Sequence, residues 1–149
     1  MAGEKQFENK VKKWLHSKGV YQDGTPIQNM KEEQIGWFVK IWGGGFQKSG
    51  IPDMLACING IFFSIELKAS KGKPSELQKL NTVRINKSNG VGVILYPEGF
   101  DDFKHIVEGV LGCNYHIPEL NSLREIHSNT NCDTLTSWKH YQQMIQRIL

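Results

Sequence analysis

Two carboxylates and a lysine, Asp53, Glu66 and Lys68, flank two short apolar runs, Met54 to Ile58 and Ile61 to Ile65, in a chain of 149 residues. The runs are rich in β-branched and aromatic residues. They are separated by Asn59-Gly60, a pair suited to the two positive-φ positions of a tight hairpin turn. If Ile58 faces Ile61, the numbers of paired residues keep a constant sum, and the step that reaches Asp53 also reaches Glu66. Directly opposed side chains have Cβ atoms ~4.5–5.5 Å apart, and like charges placed there repel. Lys68, two residues past Glu66, points to the same face, and a slip of one residue in register would undo the arrangement. The hairpin is otherwise apolar on both faces, which predicts a strand pair in a sheet covered on both sides. Carboxylates are costly to bury there unless they bind something. Their oxygens suit Mg²⁺ or Mn²⁺, with water and a phosphate completing the shell. The alternative is a Glu–Lys–Asp ion-pair cluster at a sheet edge.

Pro52-Asp53, twelve intervening residues and then Glu66-Leu67-Lys68 resemble the signature of the PD-(D/E)XK nuclease superfamily. With Gly50-Ile51 before it, Ala69 after it and Gln78 on the next helix, the stretch is similar to the VRR-NUC branch. It resembles more loosely the archaeal-type Holliday-junction resolvases. The resemblance implies an α/β, restriction-endonuclease-like core with a central mixed β-sheet flanked by helices. It also implies a Mg²⁺- or Mn²⁺-dependent endonuclease acting on DNA, with branched, flap or Holliday-junction DNA as the substrate class. Asp53 and Glu66 would bind the metal, and the Leu67 backbone carbonyl would add a ligand. Lys68 would orient or help deprotonate the attacking water and offset phosphate charge, a role that a lowered pKa would serve. A helix-1 glutamate joins the site in these families. Glu8 is the best match, directly, through water or at a second metal, and Glu4, one turn earlier, is its competitor. Either acid could instead simply complement the helix dipole.

The elements that must position these residues can be read around the hairpin. Residues 4–18 form an amphipathic helix with Phe7, Val11, Trp14, Leu15 and Lys18 at helical spacing and Gly19 as its stop. Glu8 borders the buried face, whereas Lys10, Lys12 and Lys13 lie largely off it. Residues 20–35 are polar and turn-rich, with Asp23-Gly24 and Pro26. Trp37 to Trp42 then reads as a strand. Gly43-Gly44-Gly45 permits a bent loop, after which Lys48 and Ser49 could meet a phosphate. A second helix starts near Pro74-Ser75 and stops at Asn89-Gly90. Gln78 can close a capping box with Ser75 or, by the resemblance, face the active site. Val91 to Tyr96 forms a further strand, and Asp101 is placed to cap a helix with Phe103, Ile106, Val107 and Val110 as its apolar stripe.

The formal net charge is +3, unevenly spread. Residues 1–97 hold 14 Lys and Arg against 8 Asp and Glu, whereas residues 98–149 hold 4 against 7. The basic part contains the motif, which favours a polyanionic partner. Lys48, Lys71, Lys73, Lys79 and Arg84 are its candidate DNA contacts, supplying affinity without base readout. No apolar run approaches membrane-spanning length and no apolar leader is seen, so the expectation is a cytoplasmic protein with no membrane contact. Three cysteines fit a reduced compartment.

The predicted division is a nuclease domain over residues 1–111 and a helical C-terminal extension over 112–149, packed on the core or at a homodimer interface. Trp138, Tyr141, Ile145 and Ile148 give its last helix an apolar stripe. Cys113, His116, His127 and Cys132 have loosely zinc-like spacing, although the second pair is reversed in order. Two other functional readings stay open: a non-catalytic DNA-binding module on the same fold, and a restriction-type enzyme cutting duplex DNA. The compact form resembles phage-encoded versions, and the resolvase-like relatives are dimers.

Overall fold

The computed structural model describes residues 2–43 and 49–113. Within them the chain forms a five-stranded mixed sheet flanked by helices, in the order α1 (Ala2–Ser17), β1 (Val20–Gln22), β2 (Gly36–Lys40), β3 (Met54–Ile58), β4 (Ile61–Leu67), α2 (Glu76–Lys87), β5 (Val91–Leu95) and α3 (Phe100–Leu111). The strands lie side by side in sequence order. β2, β3 and β4 are antiparallel, while β1 runs parallel to β2 and β5 parallel to β4. Helix α2 is the crossover that lets β5 run parallel to β4.

The β3–β4 hairpin forms in the expected register, from Ile58↔Ile61 to Met54↔Ile65. Asn59 and Gly60 both take positive φ, at 48° and 83°, the backbone of a two-residue turn whose twist matches the flanking strands. One face of the sheet carries Phe38, Met54, Ala56, Ile58, Phe63 and Ile65 into the core. There they meet Phe7, Val11 and Leu15 of α1 and Phe103, Val107 and Val110 of α3. Spacings of three and four residues bring each helical set onto one stripe. Trp14 and Phe7 of α1 meet the Phe100 ring edge-on, with centroids 6.0 Å and 5.7 Å away, and thereby join α1 to α3.

Helix α2 lies on the other face and adds no side chain to that core. A Cβ at Gly92 would come within 2.8 Å of the Thr82 carbonyl oxygen, so the glycine permits the close approach of α2 to β5. Asn86 secures the pair, donating to the Gly92 carbonyl at 3.1 Å and accepting from its N–H at 2.7 Å.

Three expectations need correction. The sheet is not covered on both sides along its length: Phe62 is 46% exposed and Cys57 is exposed among the described residues, because α2 shelters the second face only towards Ser64 and Glu66. The turn-rich stretch after α1 contains a strand, β1, too short to show a period. Its Tyr21 hydroxyl donates to the Glu32 carbonyl and accepts from the Glu32 N–H, at 2.9 and 2.8 Å, folding the loop back on the strand. Asp101 does not cap α3. A 3₁₀ turn at Pro97–Gly99 leads into the helix, Gly99 occupies the cap, and Asp101 pairs with Lys104 at 2.6 Å. No helix among the described residues is long and apolar enough to cross a membrane.

Candidate functional site

The ladder between β3 and β4 ends at Met54↔Ile65, one step short of Asp53 and Glu66. There the chain turns. The Asp53 carbonyl accepts from the Ile41 N–H at 2.8 Å, while its side-chain Oδ2 accepts from the Leu67 N–H at 2.8 Å. The aspartate thus closes the end of β4 with its carboxylate; the direct pairing of Asp53 with Glu66 expected from the register is not part of the ladder, although the two acids are near enough for the Asp53 charge to act on Glu66. The preceding loop is held by α2: Gly50, at φ +82°, gives its carbonyl to Asn81 Nδ2 at 2.7 Å.

Glu66 is 3% exposed. Its Oε1 accepts from Lys68 Nζ at 2.5 Å and from Gln78 Nε2, whereas its Oε2 is buried with no hydrogen-bond partner among the described residues. Burial raises the Glu66 pKa, and the neighbouring Asp53 charge adds to the rise against the opposing pull of Lys68. An acceptor oxygen stripped of water and left without a donor is costly. Gln78 closes the expected capping box and also contacts Glu66. Its Oε1 accepts from the Ser75 N–H at 2.8 Å and its own N–H donates to Ser75 Oγ at 3.2 Å, closing the capping box, while its amide nitrogen reaches Glu66.

The Lys68 pKa does not fall as expected. Burial alone would lower it, but the hydrogen bond and charge of Glu66, joined by Asp53 and Glu4, outweigh burial and raise it. In this arrangement Lys68 is a held ammonium.

Glu8 is buried at 6% exposure, and its ion-pair partners among the described residues are lysines. Its Oε1 accepts from Lys12 at 2.7 Å and Lys5 at 3.0 Å, and its Oε2 lies 3.3 Å from Lys40 Nζ. Lys40 Nζ in turn lies 3.2 Å from Asp53 Oδ1, so a lysine links helix-1 acid to motif acid. Although burial pushes the Glu8 carboxyl up, hydrogen bonds from Lys12 and Lys5 and the Lys40 charge hold its pKa at about 2. Glu4 is partly buried and near enough to act on the charges of Glu66 and Lys68, with no side-chain hydrogen bond or ion pair among the described residues.

Lys40 and Lys12 are the site members that sequence reasoning missed. Lys40 shares the face of Phe38 on β2 and pairs with Met54, next to Asp53. A lysine at an inward strand position beside a motif acid was a usable signal. Lys12 was assigned away from the buried face, yet it stands four residues after Glu8, the spacing that joins opposite charges on a helix.

Among the candidate DNA contacts, Lys71, Lys73, Lys79 and Arg84 are exposed on the loop and helix that follow Lys68. Lys79 pairs with Glu76 at 2.6 Å. Lys48, like His116, His127 and Cys132, lies outside the described residues, as does nearly all of the 112–149 extension. Cys113 donates its thiol to the Gly109 carbonyl at 3.3 Å.

The residues present fit a hard cation at Asp53 and Glu66. The donor set is all oxygen, and the buried Glu66 Oε2 lacks a proton donor among the described residues. No group of three or more His, Cys, Asp or Glu suited to a metal occurs among the described residues, but Mg²⁺ commonly takes only one or two carboxylates and fills its shell with water and phosphate oxygens. Compared with protein-family models, curated proteins and solved structures, the chain matches none.

Proposed function

We propose that this chain is a metal-dependent endonuclease that hydrolyses DNA phosphodiester bonds on a restriction-endonuclease-like core, with branched, flap or junction DNA as its substrate class. The observation that carries the reading is Glu66 Oε2, a buried acceptor without a donor among the described residues, beside a second carboxylate in a sheet-end cluster that also holds Lys68.

In this reading Asp53 and Glu66 hold Mg²⁺ or Mn²⁺, with the Leu67 carbonyl as a further ligand. Such an ion, when bound, supplies charge neutralisation at the phosphate and a lowered pKa for water. The protein's own groups do the positioning. The Leu67 N–H fixes the Asp53 carboxylate, and Gln78 fixes that of Glu66. Lys68, charged and held by Glu66, offsets the negative charge that grows on the phosphate oxygens. Its raised pKa favours a cationic, water-orienting role over proton abstraction. The exposed Lys71, Lys73, Lys79 and Arg84 would neutralise flanking phosphates.

The test compares wild type with Asp53→Asn on labelled linear duplex, single-stranded, flap and four-way-junction DNA, with Mg²⁺, Mn²⁺ or EDTA. Cleavage that needs metal and disappears in the variant supports the reading, and the preferred substrate names the subclass. Binding without cleavage in either metal would replace it with a non-catalytic DNA-binding module.

A further inference from the structure

Lys40 is unusual in where its charge sits. Its side chain is 11% exposed, and its ammonium lies between two carboxylates, 3.2 Å from Asp53 Oδ1 and 3.3 Å from Glu8 Oε2. The placement is built into the backbone: Lys40 is in register with Met54, and the next residue, Ile41, donates its N–H to the Asp53 carbonyl at 2.8 Å. Glu8 also accepts from Lys12 and Lys5. Those two ammonium groups stand over the Trp42 ring at 6.0 and 5.7 Å, a contact that favours cations.

The cluster is therefore polarised. On one side three ammonium groups surround Glu8. On the other, Asp53, Glu66 and the nearby Glu4 outnumber Lys68 and the Lys40 that Asp53 shares with Glu8, and the Glu66 Oε2 has no donor among the described residues. A divalent ion is drawn to the second side and repelled from the first, where it would have to displace at least one ammonium group from Glu8.

We propose that Lys40 stands in for a second cation, so that the site, read as metal-dependent above, takes one divalent ion at Asp53 and Glu66, while Glu8 serves as the anchor of the lysine and not as a metal ligand. The inference rests on the metal-dependent reading but goes beyond it in assigning the number of ions and the role of Lys40 as a positioning residue.

The experiment is a Mn²⁺ titration of the full chain without DNA, counting bound ions per chain from the loss of the free-ion paramagnetic signal. Wild type is expected to bind one ion, and Glu8→Gln to keep that one. Lys40→Met, which removes the charge but keeps the chain length, is expected to bind two, and Lys40→Arg one. Two ions on wild type, loss of the ion in Glu8→Gln, or an unchanged single ion in a folded Lys40→Met would overturn the proposal. If Lys40→Met does not fold, the wild-type and Glu8→Gln stoichiometries decide it. No binding at all to wild type would instead sink the metal-dependent reading itself, an outcome distinct from the other three.

Discussion

Gln78 donates its side-chain amide to Glu66 while its carbonyl oxygen closes the capping box of α2. One residue thereby ties the start of a helix to the candidate metal ligand, and Ser75 separates its two duties. Ser75→Ala removes the Oγ acceptor from the cap but leaves the Gln78–Glu66 contact, so a stability loss of about 0.5–2 kcal/mol is expected with little change in cleavage. Gln78→Ala should lose similar stability and also about 10–100-fold in activity or metal affinity, the usual effect of removing a group that orients a ligand. Chemical denaturation alongside cleavage assays checks both. Equal activity losses in the two variants would show that Gln78 acts only through the helix.

Glu66 illustrates stability given up at a site. Its pKa is raised by burial first and by Asp53 second. The folded state therefore prefers the proton, and the stability of the fold declines as pH rises through that raised pKa. Glu66→Gln mimics the protonated acid. In EDTA at neutral pH the variant should melt a few degrees above wild type, at about 2–4 °C per kcal/mol for a chain of this length. Adding Mg²⁺ or Mn²⁺ should reverse the ranking, because only wild type gains from binding, by about 2.7 kcal/mol at a hundred times Kd. Thermal melts with and without metal provide the measurement, and a wild type indifferent to metal would contradict it.

At Glu8 the sign is opposite. Its pKa lies at about 2 against an ordinary 4.5, despite burial, because Lys12, Lys5 and Lys40 favour the charged form. The stability it contributes is complete above about pH 4.5 and disappears as pH falls towards about 2. Glu8→Gln should be less stable than wild type near neutrality by about 1–3 kcal/mol, below the range of a fully buried pair because Lys5 is half exposed. The difference should shrink through that acid window. Denaturant midpoints of both proteins across it are the check, and parallel curves would mean that the lysines do not hold the carboxylate.

What could be read from the residues alone follows their local signals. Asn59-Gly60 set the hairpin register because turn geometry and side-chain alternation agree there, and Pro74-Ser75 with Gln78 marked the start of α2 through a local cap. β1 escaped notice because three residues cannot display a period, and it gains its place by pairing with β2, far along the chain. Lys40 escaped because its role depends on a contact thirteen residues away and on a helix packed above it. Glu8 was correctly placed against the buried face, but its partners could not be ranked: whether a helix acid meets a metal ligand or a lysine depends on side-chain reach across elements.

The loop that presents Asp53 depends on Gly50. Gly50 has φ +82°, and a Cβ there would lie 2.4 Å from Leu77 Cγ and 3.0 Å from Asn81 Nδ2. Gly50→Ala therefore incurs two costs, the left-handed backbone and the collision with α2, together about 1–3 kcal/mol. Leu77 is 36% exposed, so Leu77→Ala alone should cost little, and in combination it should relieve the collision while leaving the backbone cost. A double-mutant cycle on unfolding free energies then separates the two, because residues in contact depart from additivity. Activity should follow the same cycle: Asn81 holds the Gly50 carbonyl three residues before Asp53, so a shifted loop misplaces the carboxylate. If the double variant recovers stability but not cleavage, the backbone conformation at Gly50 is what sets Asp53. Recovery of both would assign the effect to crowding against Leu77.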